Sequence, residues 1–494
     1  MGVLATAVLT VGCFPPYGFS PLALVALVPL LWAGLAGSLA VGWVMHWIGN
    51  WATLVLGLPA PWNHSISLGL GLLNGPAWGI AFACYAWVRA SSKRPWDSVL
   101  LAMSLAVTFS LYPFLFPFSL AEMAVSWRLL AQPIEWGGTY SLDFFLGLAN
   151  VLVFRLLLGG KDAWRSSEVR LLAALVGIWF LVAALAQFTW DRRVDSWPTR
   201  AIGLVQTNRP ASIGRPRPEP GYSREYPYEF DQYRRLAGSG AEVVILPEGN
   251  FFGYAFWGSV KEAFHTQVNA TGTPLIFHDS TRETLLGVDH YYNSSIFLEP
   301  GKFSPELYHK RNLVPFGEST PLVADFPWLK QLSGDFASSL SAGTRYASFV
   351  VKGMRFVPGL CYDSQFPLDM AGGIGANGAG KVFLFQSQDG WYQDPSQTWI
   401  HLQGSLLRAM ENRVPLVHVT NNGPSIIAGP NGKFYYETHA FQEVNGIGLL
   451  PFDPASGGSF FSANPYLFIG GLRFILLIYL AYALRDRLLP PKEP

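Results

Sequence analysis

The sequence predicts two architectures in one chain: a polytopic bundle of about eight membrane-spanning helices and a layered α/β domain outside the membrane. Three observations lead there. Half of the 494 residues are hydrophobic and only 14% are charged, below the quarter usual in soluble domains. Apolar stretches close to the length of about 20 residues that spans a bilayer recur along residues 1–190 and again near 465–484. Between them, residues 191–464 alternate short β-type runs with helical stretches.

The apolar stretches fall at roughly 3–13, 21–36, 38–58, 66–89, 98–117, 139–159, 171–190 and 465–484. The first is short and is broken from the second by Pro15-Pro16. It has neither the basic flank nor the small-residue cleavage site of a signal peptide, which points to a short spanning or partly re-entrant helix. The organisation expected is a membrane domain over 1–190 with about seven helices, an insert over 191–464, and a last helix with a short tail over 465–494. Aromatic residues reach 15%, which suits interfacial belts and a site for apolar chains.

Basic residues set the orientation. Arg89, Lys93 and Arg94 follow the fourth stretch, Lys161, Arg165 and Arg170 the sixth, and Arg485, Arg487 and Lys492 the eighth. Short loops rich in Lys and Arg stay cytoplasmic, and Arg128 is the main exception on the opposite face. Both termini are then inside, and 191–464 faces outward, which in a bacterium is the periplasm. A net charge of +1 gives no indication of a nucleic-acid partner.

Within the insert, strands are expected at Ala201–Gln206, Val243–Leu246, Pro274–Phe277, Ser295–Leu298, Lys381–Phe385 and Leu416–Val419. Helices are expected at Tyr228–Leu236, Ser259–Ala270 and Trp399–Asn412, and the Pro-rich stretch 210–220 reads as an exposed loop. Gly373-Ile374-Gly375-Ala376-Asn377-Gly378 has the spacing of a nucleotide-binding loop, but a strand follows it where the mechanism needs a helix. There is no G-x-S-x-G elbow and no H-E-x-x-H pair, and the nine histidines are scattered; no cofactor or metal is expected.

Cys361 is the candidate nucleophile. Cys13 and Cys84 lie in apolar stretches, so Cys361 is alone in a compartment where thiols usually pair. From the thiol alone, a buried inert cysteine is the commoner outcome. Its context argues otherwise. Glu248 ends the run Val243-Val244-Ile245-Leu246-Pro247-Glu248, and Lys310 opens a stretch ending in Pro315-Phe316-Gly317-Glu318. A carboxylate, an ammonium and a thiol can supply a base, an oxyanion-stabilising charge and a nucleophile. The bland alternative for Glu248 and Lys310 is an ion pair on a solvated face.

This arrangement resembles the nitrilase (carbon–nitrogen hydrolase) superfamily, and the whole chain resembles the bacterial apolipoprotein N-acyltransferase family. The resemblance rests on Val205-Gln206-Thr207-Asn208, Leu246-Pro247-Glu248, Lys310 to Glu318, Leu360-Cys361-Tyr362, Asp389-Gly390-Trp391-Tyr392, Arg408-Ala409-Met410-Glu411 and Thr420-Asn421-Asn422-Gly423. In the membrane half it rests on Gln132 to Leu142. It implies an αββα sandwich for the insert, with Glu248 as general base, Lys310 and the backbone N–H of Tyr362 as oxyanion donors, and Cys361 as nucleophile. Glu318, Asp363, Asn421 and Asn422 would support them. Asn421 and Asn422 also read as a simple turn with Gly423, and Glu318 as a helix N-terminal charge.

Two departures stand out. Asp363 replaces the family's glutamate after the Cys-Tyr pair, and the family's tryptophan after the first strand has no counterpart in residues 200–235. Trp257 and Trp391 are stand-ins for its apolar contact. The aromatic run Phe251, Phe252, Tyr254, Phe256 and Trp257 suits a lid over lipid, with core packing as its alternative.

The function implied is transfer of an acyl chain from a phospholipid to the α-amine of a diacylglyceryl-apolipoprotein through a Cys361 thioester, by a monomer in the bacterial inner membrane. A membrane-tethered amidase and a non-catalytic lipoprotein-binding paralogue are the alternatives.

Overall fold

The computed structural model describes residues 1–15, 17–32, 73–88, 97–114, 117–211, 217–315, 317–319, 340–391 and 395–488. These form two compact units, one built from Met1–Asp191, Met410–Asn412 and Ser459–Pro494, the other from Arg192–Ala409 and Arg413–Gly458.

The first unit is helical. Among the described residues, Thr139–Arg165, Ser167–Asp195 and Leu467–Arg485 are long and apolar enough to cross a membrane. Gly2–Cys13, Ser20–Trp32 and Asp97–Leu111 are shorter apolar helices. The stretch expected to run to residue 117 stops at Leu111, because Pro113 disfavours helix at the residue before it. The stretch 38–58 lies outside the described residues, as do parts of 21–36 and 66–89. Small residues permit close packing here: a Cβ on Gly147 would lie 2.8 Å from Ala102 Cα. Buried Asn150 is satisfied by donating to the carbonyls of Ala23 and Leu146, both at 2.8 Å, and accepting from Leu27 N–H at 2.7 Å.

The second unit is built on twelve strands: β1 Thr199–Gln206, β2 Val243–Ile245, β3 Leu275–Leu285, β4 Val288–Leu298, β5 Glu306–His309, β6 Phe349–Val351, β7 Met354–Leu360, β8 Lys381–Ser387, β9 Leu416–Thr420, β10 Ile426–Ala428, β11 Phe434–Glu437 and β12 Val444–Pro451. One sheet runs β12-β1-β2-β3-β4-β5 and the other β11-β10-β9-β8-β7-β6. Parallel pairs occupy the middle of each, β1–β2–β3 in the first and β7–β8–β9 in the second.

A single apolar cluster joins the facing surfaces of the two sheets. It includes Leu204, Ile245, Ile276 and Phe297 of the first with Phe356, Leu360, Leu384 and Val419 of the second. Behind the first sheet, Phe230, Tyr233, Phe264 and Val268 of helices Glu229–Gly238 and Gly258–Thr271 pack on Val205, Val244 and Phe277. On the second sheet, Phe383 and Phe385 alternate with the core-facing Val382 and Leu384 and are equally buried. Gly359 of β7 lies against the Phe385 ring, which comes within 2.6 Å of the place of a Cβ. The glycines at 373–378 end helix Pro367–Ile374 and precede β8, the loop-then-strand order expected, and Lys381 spends its ammonium on the carbonyls of Gly373 and Ile374.

Candidate active site

Three side chains reach one spot from the ends of strands in both sheets. Glu248 follows β2, Lys310 follows β5, and Cys361 follows β7 directly. Glu248 and Cys361 come from the ends of parallel strands, where α/β sheets present reactive groups because the backbone turns away there, and Lys310 comes from the end of β5, antiparallel to β4. Cys361 opens a short 3₁₀ turn, Cys361–Gln365, with φ of +45°. That left-handed region is disfavoured for a residue with a Cβ and persists only where the surroundings impose it.

Lys310 is fully buried and lies between two acids. Its Nζ is 2.9 Å from Glu318 Oε1 and 3.6 Å from Glu248 Oε1. Asn293 of β4 bridges the same carboxylates, its Nδ2 donating to Glu248 Oε1 at 2.9 Å and Glu318 Oε1 at 2.6 Å. The second oxygen of Glu248 accepts from Gln388 N–H at 3.1 Å, and that of Glu318 from Val314 N–H at 2.9 Å. Both acids are therefore oriented on both oxygens. Beneath them Gln386 of β8 donates to Leu246 O at 2.6 Å and accepts from Ser295 of β4 at 2.5 Å, tying the two sheets together.

Burial dominates the electrostatics. It works against the Lys310 ammonium, yet Glu318 and Glu248 hold its pKa well above the ordinary value. Burial likewise opposes the Glu318 carboxylate, and Lys310 with the Val314 N–H overcomes it and draws the pKa down. The Cys361 thiol is pushed far up, by burial first and then by Glu248, with Lys310 acting the other way. Cys361 thus rests as a neutral thiol, and attack on a carbonyl requires its proton to leave to a base as the bond forms.

The match of residues 204–449 to the carbon-nitrogen hydrolase family decides the class. The chain carries a carbon-nitrogen hydrolase domain. Curated relatives extend across the membrane half as well. The apolipoprotein N-acyltransferase of Geobacter metallireducens is 25% identical over 90% of this chain and 87% of its own. That of Pseudomonas paraeruginosa is 26% identical over 99% and 96%, and that of Gloeobacter violaceus 28% over 85% and 82%.

The remaining expected residues occupy distinct places around the carbon-nitrogen hydrolase site. Asp363, fully buried, accepts from Leu360 N–H at 2.9 Å, Tyr308 Oη at 2.8 Å, and Asn312 N–H and Nδ2 at 2.8 and 3.0 Å. It fastens the turn bearing the thiol to the segment after Lys310. Tyr362 is buried and meets Phe366 edge-on. Asn421 and Asn422 pin the loop after β1: Asn421 accepts from Thr207 Oγ1 and Arg209 N–H and donates to Gln388, and Asn422 donates to Asn208 and Arg209 O. They do more than turn the chain, because Gln388 is the residue whose N–H holds Glu248.

The aromatic run divides. Phe251 and Tyr254 are buried in the cluster behind the first sheet and are core, not lid; their rings pack on Phe264 and Phe277. Phe252 and Phe256 stack on each other and are partly exposed, while Trp257 and Trp391 are exposed. Arg224 lies over the Trp257 ring, 5.0 Å from its centroid.

The sequence did not single out Asn293, Gln388 or His401, nor the pairing of His401 with Asp389. Amides in or after strands carry no periodic signal, although Gln388 directly precedes the Asp389-Gly390-Trp391-Tyr392 motif. Among the described residues, Cys361, Asp389 and His401 place potential metal-ligand atoms within 4.8 Å of one another. Both His401 ring nitrogens already face hydrogen-bond acceptors, which is the arrangement of an ion pair more than of a ready metal site.

Proposed function

We propose that this membrane protein is an N-acyltransferase that moves an acyl chain from a phospholipid to the α-amine of a lipoprotein's diacylglyceryl-cysteine. One observation carries the reading: a buried carboxylate and ammonium converge with a partly accessible thiol at strand ends, in a chain that also holds helices able to cross a membrane. The similarity to apolipoprotein N-acyltransferases over both parts of the chain supports it.

The chemistry follows from the residue types. As Cys361 Sγ attacks the ester carbonyl, its proton passes to Glu248 and a sulfur–carbon bond forms. The charge on the carbonyl oxygen is met by Lys310, with Tyr362 N–H as a second donor. Collapse breaks the ester bond, and the proton returns from Glu248 to the departing lysophospholipid. The acceptor amine then attacks the thioester and gives a proton to Glu248; the carbon–sulfur bond breaks, the amide forms, and Glu248 returns that proton to Sγ. Glu318 holds Lys310 in place, Asp363 holds the nucleophile turn, and Asn421 and Asn422 hold the loop beside the base. Phe252, Phe256, Trp257 and Trp391 are the apolar groups left to meet lipid chains. In this reading residues 191–464 are periplasmic, between membrane segments over 1–190 and 465–494, with both termini cytoplasmic.

The test is incubation of the purified protein with phospholipid alone, followed by mass spectrometry. A hydroxylamine-sensitive acyl adduct on Cys361 is expected, discharged by a diacylglyceryl lipopeptide. Cys361→Ala should lose adduct and product together. Transfer by that variant overturns the mechanism, and discharge to water regardless of lipopeptide favours a hydrolase.

A further inference from the structure

A buried histidine lies beneath the nucleophile, and the chemistry above makes no use of it. His401, on helix Pro395–Asn412, points Nδ1 at Asp389 Oδ1 at 2.8 Å and Nε2 at the main-chain carbonyl of Cys361 at 3.1 Å. Ser387 Oγ also donates to Asp389 Oδ1, at 2.8 Å, and Ser364 Oγ to the Cys361 carbonyl, at 3.0 Å. A carboxylate and a carbonyl are both acceptors. Ser387 Oγ and Ser364 Oγ also lie 3.3 Å from Nδ1 and 3.4 Å from Nε2, but each hydroxyl has a single hydrogen, given at shorter range to Asp389 or the Cys361 carbonyl. With those hydrogens so placed, a ring facing an acceptor with each nitrogen donates to both only as an imidazolium.

The surroundings agree with a charged ring. Burial disfavours it, but Asp389 and the Cys361 carbonyl hold the His401 pKa above the ordinary value. The other groups facing it are Glu248, the Cys361 thiol and His418, whose ring centroid is 5.9 Å away. His418 has no hydrogen-bond partner for its ring among the described residues, and burial followed by the His401 charge lowers its pKa to about 3, so it stays neutral. Arg408, on the same helix, donates to Ser364 O at 3.2 Å. Cys361 has a strained backbone, with φ of +45°, and its carbonyl is what His401 grips.

We propose that His401, kept as an imidazolium by Asp389, is a positioning residue that fixes the Cys361 peptide in its left-handed conformation and so aims the thiol at the acyl carbonyl. Only the identity of the acyl donor rests on the function proposed above; the geometry stands apart from it.

Two readouts on the full-length protein test this, one spectroscopic and one chemical. In ¹⁵N-histidine-labelled protein, one ring should retain both protons to a higher pH than an ordinary histidine, and should lose that retention in Asp389→Asn. Capture of Cys361 by iodoacetamide should slow by roughly tenfold to a hundredfold in both Asp389→Asn and His401→Leu, with His401→Gln, which keeps a donor, in between. With phospholipid, the same variants should lose kcat and keep KM. A neutral His401 in the wild type, or a folded Asp389→Asn captured at the wild-type rate, overturns the inference. A wild type with the imidazolium signal and rapid capture but no acylation by phospholipid would refute the donor and leave the inference standing.

Discussion

Lys310 is bound more closely by Glu318, at 2.9 Å, than by Glu248, at 3.6 Å. One buried cation therefore serves two carboxylates, and Asn293 holds the pair at a fixed spacing. The longer contact leaves Lys310 beside Glu248 without a direct hydrogen bond to it, and near enough to oppose charge on a substrate oxygen. Glu318→Gln should upset the division. With the Glu318 charge gone, the ammonium would move toward Glu248 and withdraw from the oxyanion. Cys361 acylation should then slow by about a hundredfold or more, with little change in phospholipid KM. Single-turnover mass spectrometry measures this, and a wild-type rate would show that Glu318 is a bystander.

Asp363 is the second case in which position constrains chemistry. Its shorter arm invites the idea that Asp363→Glu would be harmless. The structure argues against it: the carboxylate is fully buried and accepts four hydrogen bonds, and a Cβ on Gly359 would already lie 3.4 Å from Asp363 Cβ. An added methylene in such a site costs about 1–3 kcal/mol. Asp363→Asn turns an acceptor into a donor facing Leu360 N–H or Tyr308 Oη, a mismatch of about 1–3 kcal/mol. Both variants should melt below the wild type and acylate more slowly. Wild-type melting of Asp363→Glu would show that the turn has room to relax.

How far the fold could be read from the sequence depended on how each strand is buried. β1, β2, β8 and β9 lie inside the sheets, show as continuous apolar runs, and are found where expected. β7 was missed although it delivers the nucleophile, because Arg355, Pro358 and Gly359 interrupt it. Pro358 is tolerated there because its neighbour β6 is only three residues long and pairs no further than Phe356, so the missing N–H has no partner to lose on that side. β5 is short and polar, and half of the β3–β4 hairpin is exposed, so neither carried a full apolar pattern. In the site, the charged residues were legible through their motifs. Asn293, Gln388 and His401 were not, because their importance comes from contacts made across the two sheets and the helix behind them.

Orientation yields a prediction independent of the chemistry. Reporter fusions at 90–97 and 160–170 should be cytoplasmic, where Lys93, Arg94, Lys161, Arg165 and Arg170 cluster, and a fusion at residue 300 should be external. Placing residue 300 in the cytoplasm would remove the catalytic domain from the compartment in which the acceptor is proposed to be met.

The last prediction concerns a buried acid outside the reacting groups. Glu229, at the start of helix Glu229–Gly238, is fully buried and ion-paired to Arg209 at 2.9 Å; Arg209 in turn carries the backbone carbonyl gripped by Asn421 and Asn422. Burial raises the Glu229 pKa from 4.5 to about 7, with Arg209 only partly offsetting it. Because the folded value exceeds the unfolded one, the folded state holds this proton more tightly. Its contribution to stability is complete below 4.5, declines as pH rises toward about 7, and is a constant penalty above that. Glu229→Gln removes the penalty and keeps the shape. Its melting temperature should exceed that of the wild type at about pH 8, and the gap should close near pH 4.5, where both side chains are neutral. A lower melting temperature at about pH 8 would mean that pairing with Arg209 outweighs burial, reversing the sign of the pKa shift.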